Sequence, residues 1–504
     1  MPDRPIATPG ASGLLIAGTS SDAGKSLVVT GLCRALARRG VDVAPFKAQN
    51  MSNNSMVCPD GTEIGRAQYL QAQAAGAVPE SAMNPVLLKP GTDRRSFVVV
   101  RGRPAGTLEA GEFASGRRHL AEAAFTAYTE LAQRYDVIVA EGAGSPAEIN
   151  LRPGDYVNMG LAQEFSLPVV VVGDIDRGGV FASLYGTVML LDEADRSLIR
   201  GLVINKFRGD VRLLRPGLDR IAELTGVPVL GVLPWLDDVW LDGEDTLQVG
   251  RWNTAAGSPA GPGPVVRVAA IRFPRLSNVT DLDALACEPG VEATMTADPV
   301  TVRSADVVVL PGSRATVSDL DWLRSTGLAA AVRAAAGRGV PVLGICGGFQ
   351  MLGDRIVDQV ESGAGEVTGL GLLPVSVIFG ADKVLATTGG RWRGCEVTGY
   401  EIHHGVATVA AGSEEFLGGL RVGAVWGTMW HGAFENDGFR RAWLTATTGF
   451  RADPAAPGFR TRREAMLDRL ADAVEQHLDV GRLLDLVGVS RVKPRSPGGD
   501  RSRR

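Results

Sequence analysis

Between Gly13 and Pro234, six runs (GLLIA, VDVAPF, YDVIVA, LPVVVVGD, GLVINKF and VPVLGVLP) are apolar at nearly every position rather than at alternate ones. A strand with one wet face alternates. A strand apolar on both faces must be covered on both, the condition of a parallel sheet wrapped by helices. The runs are separated by helical stretches, so the expected fold is a doubly wound α/β domain over residues 1–242. A polar stretch containing NTAAGSPAGPGP follows, without periodicity, and reads as a linker over 243–264. The alternation resumes at VVRVAAI (265–271), DVVVLPGS (306–313), a helical stretch over 326–337, and PVLGICGG (341–348). This predicts a second doubly wound domain over 265–489. Residues 490–504 hold six Arg or Lys and one Asp, which predicts a disordered basic tail.

Composition excludes several classes. Lys plus Arg number 52 against 56 Asp plus Glu, a net charge of −4, so no global field recruits nucleic acid. The five cysteines, at 33, 58, 287, 346 and 395, form no CxxC pair, which argues against a zinc module or disulfide framework and for a reducing, cytoplasmic location. No apolar run approaches the roughly 18 residues a membrane span needs, so no membrane association is expected.

Strand GLLIA runs into Gly18-Thr19-Ser20-Ser21-Asp22-Ala23-Gly24-Lys25-Ser26 and then a helix ending near Gly40. This is a phosphate loop with one residue more than the common spacing. Its backbone N–H groups and helix N-terminus suit phosphate, Lys25 reaches the β and γ oxygens, and the Ser26 hydroxyl suits Mg²⁺. Glu141, at the end of the strand before Gly142-Ala143-Gly144-Ser145, is the expected second Mg²⁺ ligand. Arg177, in GDIDRGG, is placed to clamp phosphate or a substrate carboxylate, with an ion pair to a neighbouring Asp as the competing role. Asn205, after GLVI, resembles the base-reading strand end of such ATPases. The amide-dense loop carrying Gln49, Asn50 and Asn53 should lie beside the phosphate loop, where amides suit carboxylate and carboxamide substrates; an Asn-rich turn is the alternative.

In the second domain, Gly344-Ile345-Cys346-Gly347-Gly348 is a strand-to-helix elbow with Cys as the nucleophile. The turn is expected to expose the sulfur at a helix N-terminus and lower the thiol pKa. Backbone N–H groups of Gly347 and of the Pro311-Gly312-Ser313 loop, Gly312 foremost, would form the oxyanion hole. Of the five histidines, His431 in TMWHG is the best base candidate. His403 and His404 read as structural, and His119 and His477 lie elsewhere.

The ordered set GTSSDAGKS, FKAQNMSNNS, NPVLLKP, EGAGSPAEINL, GDIDRGGVF, VINKFRGD, GVLPW, PGSRAT, GICGGFQMLG, GYEIHHG and HGAFE resembles the cobyric acid synthase family of glutamine-dependent amidotransferases, over residues 13 to about 480. The first domain is similar to dethiobiotin synthetase, and the second resembles the class I glutamine amidotransferase domain of the triad type. The resemblance implies ATP- and Mg²⁺-dependent amidation of the b, d, e and g carboxylates of a corrinoid, adenosylcobyrinic acid a,c-diamide, with ammonia from glutamine. Cys346 then corresponds to the glutaminase nucleophile and His431 to its base. The usual acid two residues after the His is here Ala433; Glu435 is near, and no acid is assigned. No histidine has an Asp two residues before it, so no protein ligand to cobalt is expected. An a,c-diamide synthase, a partitioning-type ATPase with an inactive second domain, and a peptidoglycan-amidating ligase are the competing readings. A homo-oligomer is left open.

Overall fold

The computed structural model describes residues 12–91, 95–109, 118–237, 239–241, 265–409 and 413–488. The predicted linker 243–264 and the tail 490–504 lie outside the described residues.

The six apolar runs form one parallel sheet. Strand Ser12–Gly18 lies at its centre, flanked by Val137–Glu141 and Val169–Asp174; Val43–Phe46 lies beyond the first neighbour, and Ile199–Phe207 and Val229–Pro234 beyond the second. The register explains the sequence pattern. Leu14 and Ile16 point into one core, shared with Val28, Val139, Val170 and Val172, while Leu15 and Ala17 point into another with Phe46, Ile138 and Val171. Both faces are dry, so alternate positions have no reason to be polar. Chain order reverses across Ser12–Gly18, and the phosphate loop opens from that strand, where ligands of open α/β sheets bind.

The second sheet has five parallel strands, in the order Val291–Thr296, Val266–Ile271, Val307–Leu310, Val342–Ile345 and Val425–Thr428. Two antiparallel strands, Gly419–Val422 and Glu414–Phe416, extend its edge. A long hairpin, Val375–Trp392 with Cys395–Val409, stands apart from this sheet and packs against the first domain. Val57 of that domain shares a small apolar cluster with Tyr400 and Ile402.

Helices Phe459–His477 and Val480–Leu486 fall within the residues the sequence assigns to the second domain. Their apolar residues Met466, Leu467, Leu470, Val474 and Leu483 nevertheless lie in the core built on Leu14, Val28 and Leu32. Along the same seam, Arg34, Arg38 and Arg39 pair with Glu464, Asp468, Asp472 and Glu475. No helix of the described residues is long and apolar enough to cross a membrane.

Candidate active site

The phosphate loop has the backbone its sequence demands. Asp22 (φ 56°) and Gly24 (φ 99°) are left-handed, and helix Lys25–Arg38 begins directly after them. A Cβ at Gly24 would sit 1.9 Å from the Asn205 amide nitrogen, so only glycine fits there. Gly18 lies under the Lys25 stem, and the Thr19 N–H donates to the Val172 carbonyl at 2.9 Å. Lys25 Nζ donates to the carbonyls of Ser20 (2.8 Å) and Gly144 (3.0 Å), and so bridges the two loops between which phosphates would lie.

The predicted metal pair comes together. Ser26 Oγ donates to Glu141 Oε1 at 2.8 Å, and the carboxylate is fully buried. Lys47 Nζ holds the same oxygen at 2.9 Å, and Gln71 donates to Oε2 at 2.6 Å. Sequence reasoning missed Lys47 and Gln71, whose only signal is distance in the fold. One hydroxyl and one carboxylate suit Mg²⁺, which keeps most of its ligands as water and substrate phosphate.

A cleft of about 700 Å³ opens above these groups, and Asp22, Lys25, Ser26, Asn50, Asn53, Arg177 and Asn205 all line it. Asn205 donates to the Ala23 carbonyl at 3.0 Å, bracing the loop as it faces the cleft. Arg177 is exposed at the mouth, 3.5 Å from Asp22, so its ion-pair partner belongs to the phosphate loop. Asn50 donates to Gln68 at 2.9 Å. Gln49 departs from expectation: it is buried, accepts a hydrogen bond from the Tyr156 hydroxyl, and does not line the cleft. Trp235, under Arg208 at 3.9 Å, lines the cleft and was not anticipated.

In the second domain, the elbow is strained as a nucleophile turn should be. Cys346 has φ 49° and ψ −109°, outside the comfortable regions for a side-chain-bearing residue. A Cβ at Gly348 would lie 1.9 Å from the Leu310 carbonyl oxygen, and one at Gly347 would lie 2.8 Å from the Ser313 nitrogen. Both glycines are therefore required by close packing. The Ser313 backbone, one residue beyond the expected Gly312, is what lies against Gly347. Gly312 itself backs onto the His431 ring, whose Cε1 would lie 2.9 Å from a Cβ there.

The thiol is not the exposed, acidified group expected from sequence. Helix Gly347–Leu352 is only six residues long and the sulfur is buried, its recorded contact being the Ile402 carbonyl at 4.0 Å. Burial pushes the Cys346 pKa up to about 12, against the favourable Gly347 N–H. His431 is buried as well. Burial, aided by His403 and nearby cations, pushes it down to about 3 against a weak opposing contact with the Asn278 backbone, and no side chain of the described residues hydrogen-bonds either ring nitrogen. Burial thus favours the uncharged form of both groups.

Cys346 and His431 stem from adjacent parallel strands, and the Cys346 N–H donates to the Thr428 carbonyl at 2.8 Å. His431 is held by reciprocal backbone hydrogen bonds with Tyr400, whose ring stacks on the imidazole at 5.4 Å. Glu435 does not orient it: that carboxylate pairs with Arg66 (2.8 Å) and Arg463 (3.3 Å). A different acid steadies the turn. Asp281, fully buried, accepts the Gly432 N–H at 2.9 Å and the Phe434 N–H at 3.0 Å, on either side of Ala433.

The pocket at Cys346 is lined by Arg314, Glu361, Lys383, His403 and His404, and also by Asn53 and Lys89 of the first domain. Arg314 and Glu361 pair at 2.6 Å. Lys89 and Lys383, one from each domain, both grip the buried Glu63. His403 and His404, which the sequence reads as structural, line the thiol pocket and hydrogen-bond with Glu401 and the Gly380 carbonyl respectively.

Two family models match the chain: a CobQ/CobB/MinD/ParA nucleotide binding domain over residues 14–249 and a CobB/CobQ-like glutamine amidotransferase domain over 267–439. Among curated relatives, the cobyric acid synthase of Cutibacterium acnes is 62% identical over 94% of this chain and 100% of its own length. That of Mycolicibacterium gilvum is 59% identical over 95% and 98%, and that of Mycobacterium tuberculosis 57% identical over 94% and 96%.

Proposed function

The chain belongs to the cobyric acid synthase family, ATP-using, glutamine-hydrolysing amidoligases of cobalamin biosynthesis, and from that premise we propose a division of labour between its two cavities. The first-domain cleft activates side-chain carboxylates b, d, e and g of adenosylcobyrinic acid a,c-diamide. The Cys346 pocket supplies the ammonia. What supports the reading is that the thiol pocket is walled in part by first-domain residues, Asn53 and Lys89, so the two sites are neighbours.

A carboxylate does not react with ammonia at neutral pH, since oxide would have to leave. In the cleft, Lys25 and the phosphate-loop amides hold ATP, with Asn205 and Trp235 towards the base. Ser26 and Glu141 would hold Mg²⁺, which when bound offsets phosphate charge. A corrinoid carboxylate oxygen attacks the γ-phosphorus and the bond to the bridging oxygen breaks, giving an acyl phosphate and ADP. Ammonia then attacks the acyl carbon, the carbon–oxygen bond to phosphate breaks, and amide and phosphate are released.

At the second site, His431 takes the Cys346 proton as the sulfur attacks the glutamine carboxamide, and returns it to the departing nitrogen. Backbone N–H groups of Gly347 and the Gly312-Ser313 loop face the developing oxyanion. Water hydrolyses the thioester to glutamate. Arg314 and Glu361 suit the carboxylate and ammonium of the amino acid. Because burial holds the thiol protonated, its proton has to pass to His431 as the sulfur attacks.

Cys346→Ala tests this division. Amidation with glutamine should disappear while amidation with a high concentration of ammonium salt persists; loss of both would refute two sites. Lys25→Ala should stop both nitrogen sources, and undiminished turnover would refute its phosphate role.

A further inference from the structure

We infer that Asn53 is the gate through which ammonia crosses from the thiol pocket to the phosphate cleft, rather than a direct contact to the acceptor. The inference rests on the two-site reading above. Among the described residues Asn53 alone lines both cavities.

Two backbone segments run past it from one cavity to the other. In the first domain the chain continues from Asn50 on the cleft to Asn53. In the second, Arg275 and Leu276 face the cleft while Ser277 and Asn278 face the thiol pocket. These segments are laced together across the domain seam. The Ser55 N–H donates to Asn278 Oδ1 at 2.8 Å, and the Asn278 N–H donates to Asn54 Oδ1 at 2.7 Å. Asn54 and Ser55 are thereby fixed, and Asn53 is held in the partition between the cavities.

Its side-chain oxygen is buried and has no hydrogen-bond partner among the described residues. A buried acceptor left unmade is costly, so its retention calls for a physical reason. Ammonia supplies one. It is a small N–H donor that can satisfy Oδ1 in passage without remaining bound.

On the pocket side the nearby carboxylates are already taken, Glu63 by Lys89 and Lys383, Glu361 by Arg314 and Glu401 by His403, so among the described residues none of these is left open to hold ammonium in place of the neutral molecule. Neutral ammonia is the nucleophile the acyl phosphate needs.

The test compares wild type with Asn53→Leu, similar in shape and without a polar atom, and with Asn53→Asp, whose carboxylate would trap ammonium. Three rates are read on the full chain with adenosylcobyrinic acid a,c-diamide and ATP: glutamate released, amide formed from glutamine, and amide formed from ammonium chloride. In both variants glutamate release and ammonium-driven amidation should persist. The ratio of glutamate to amide should rise from one by about fivefold, the change expected from losing one net hydrogen bond. A ratio that stays at one while both rates fall together would make Asn53 merely structural. Loss of ammonium-driven amidation would make it an acceptor contact; either result overturns the gate. If wild type forms no amide from either nitrogen source, the functional reading fails and the gate falls with it; a coupled wild type with unchanged variant ratios removes the gate alone.

Discussion

At the scale of single residues, the elbow was legible because close packing demands glycine at fixed positions. Gly344, Gly347 and Gly348 each leave no room for a Cβ, and the spacing around Cys346 carries that constraint into the sequence. Protonation was not legible. A helix N-terminus argues for an acidic thiol, but burial is the larger effect here, and the sulfur's surroundings include the hairpin residue Ile402, 56 positions away. The same holds for Asp281, Lys47 and Glu63, whose partners are remote in sequence. His431 gives a prediction at this scale. The unfolded chain protonates this ring near its ordinary value of 6.5, whereas the folded site resists until about 3. Between these values the unfolded state binds the extra proton, so stability falls as pH falls from about 6.5 towards 3. His431→Gln should flatten that part of the stability curve; parallel denaturation midpoints for the two proteins from pH 7 to 4 would contradict the burial.

At the scale of elements, the strands were read correctly because a two-faced core leaves a continuous apolar run. Leu14 through Ala17 serve opposite cores in turn. The destination of helix Phe459–His477 was not readable, because an amphipathic face states that something covers it and not what. Its core residues meet helix Lys25–Arg38 and bind the end of the chain to the first domain. Leu470→Ala should therefore cost about 2–5 kcal/mol, since Leu470 is fully buried beside Val28 and Leu32. Arg38→Ala, which breaks a half-exposed ion pair with Asp472, should cost about 0–1 kcal/mol. Urea denaturation followed through the first domain checks both, and equal losses would mean that charge rather than apolar burial holds the seam.

At the scale of the whole molecule, the two sheets present their chemistry towards one seam. The long hairpin brings Tyr400 and Ile402 onto Val57, the lacing at Asn278 fixes the loop after Asn50, and Glu63 ties Lys89 to Lys383. Each contact joins an element of the second domain to one of the first. Two α/β domains were foreseeable from their strands, but this seam was not, since it is built from short polar segments whose pairing only tertiary structure decides. The central claim is that one chain moves nitrogen from glutamine to ATP-activated carboxylates. Mass spectrometry of adenosylcobyrinic acid a,c-diamide after incubation with the protein, ATP, Mg²⁺ and amide-¹⁵N glutamine, with unlabelled ammonium kept well below the concentration that drives amidation by itself, tests it most directly. The account predicts amidation at four carboxylates with the new amides carrying the glutamine label. An unchanged corrinoid, or amides carrying only the unlabelled ammonium nitrogen, would contradict it.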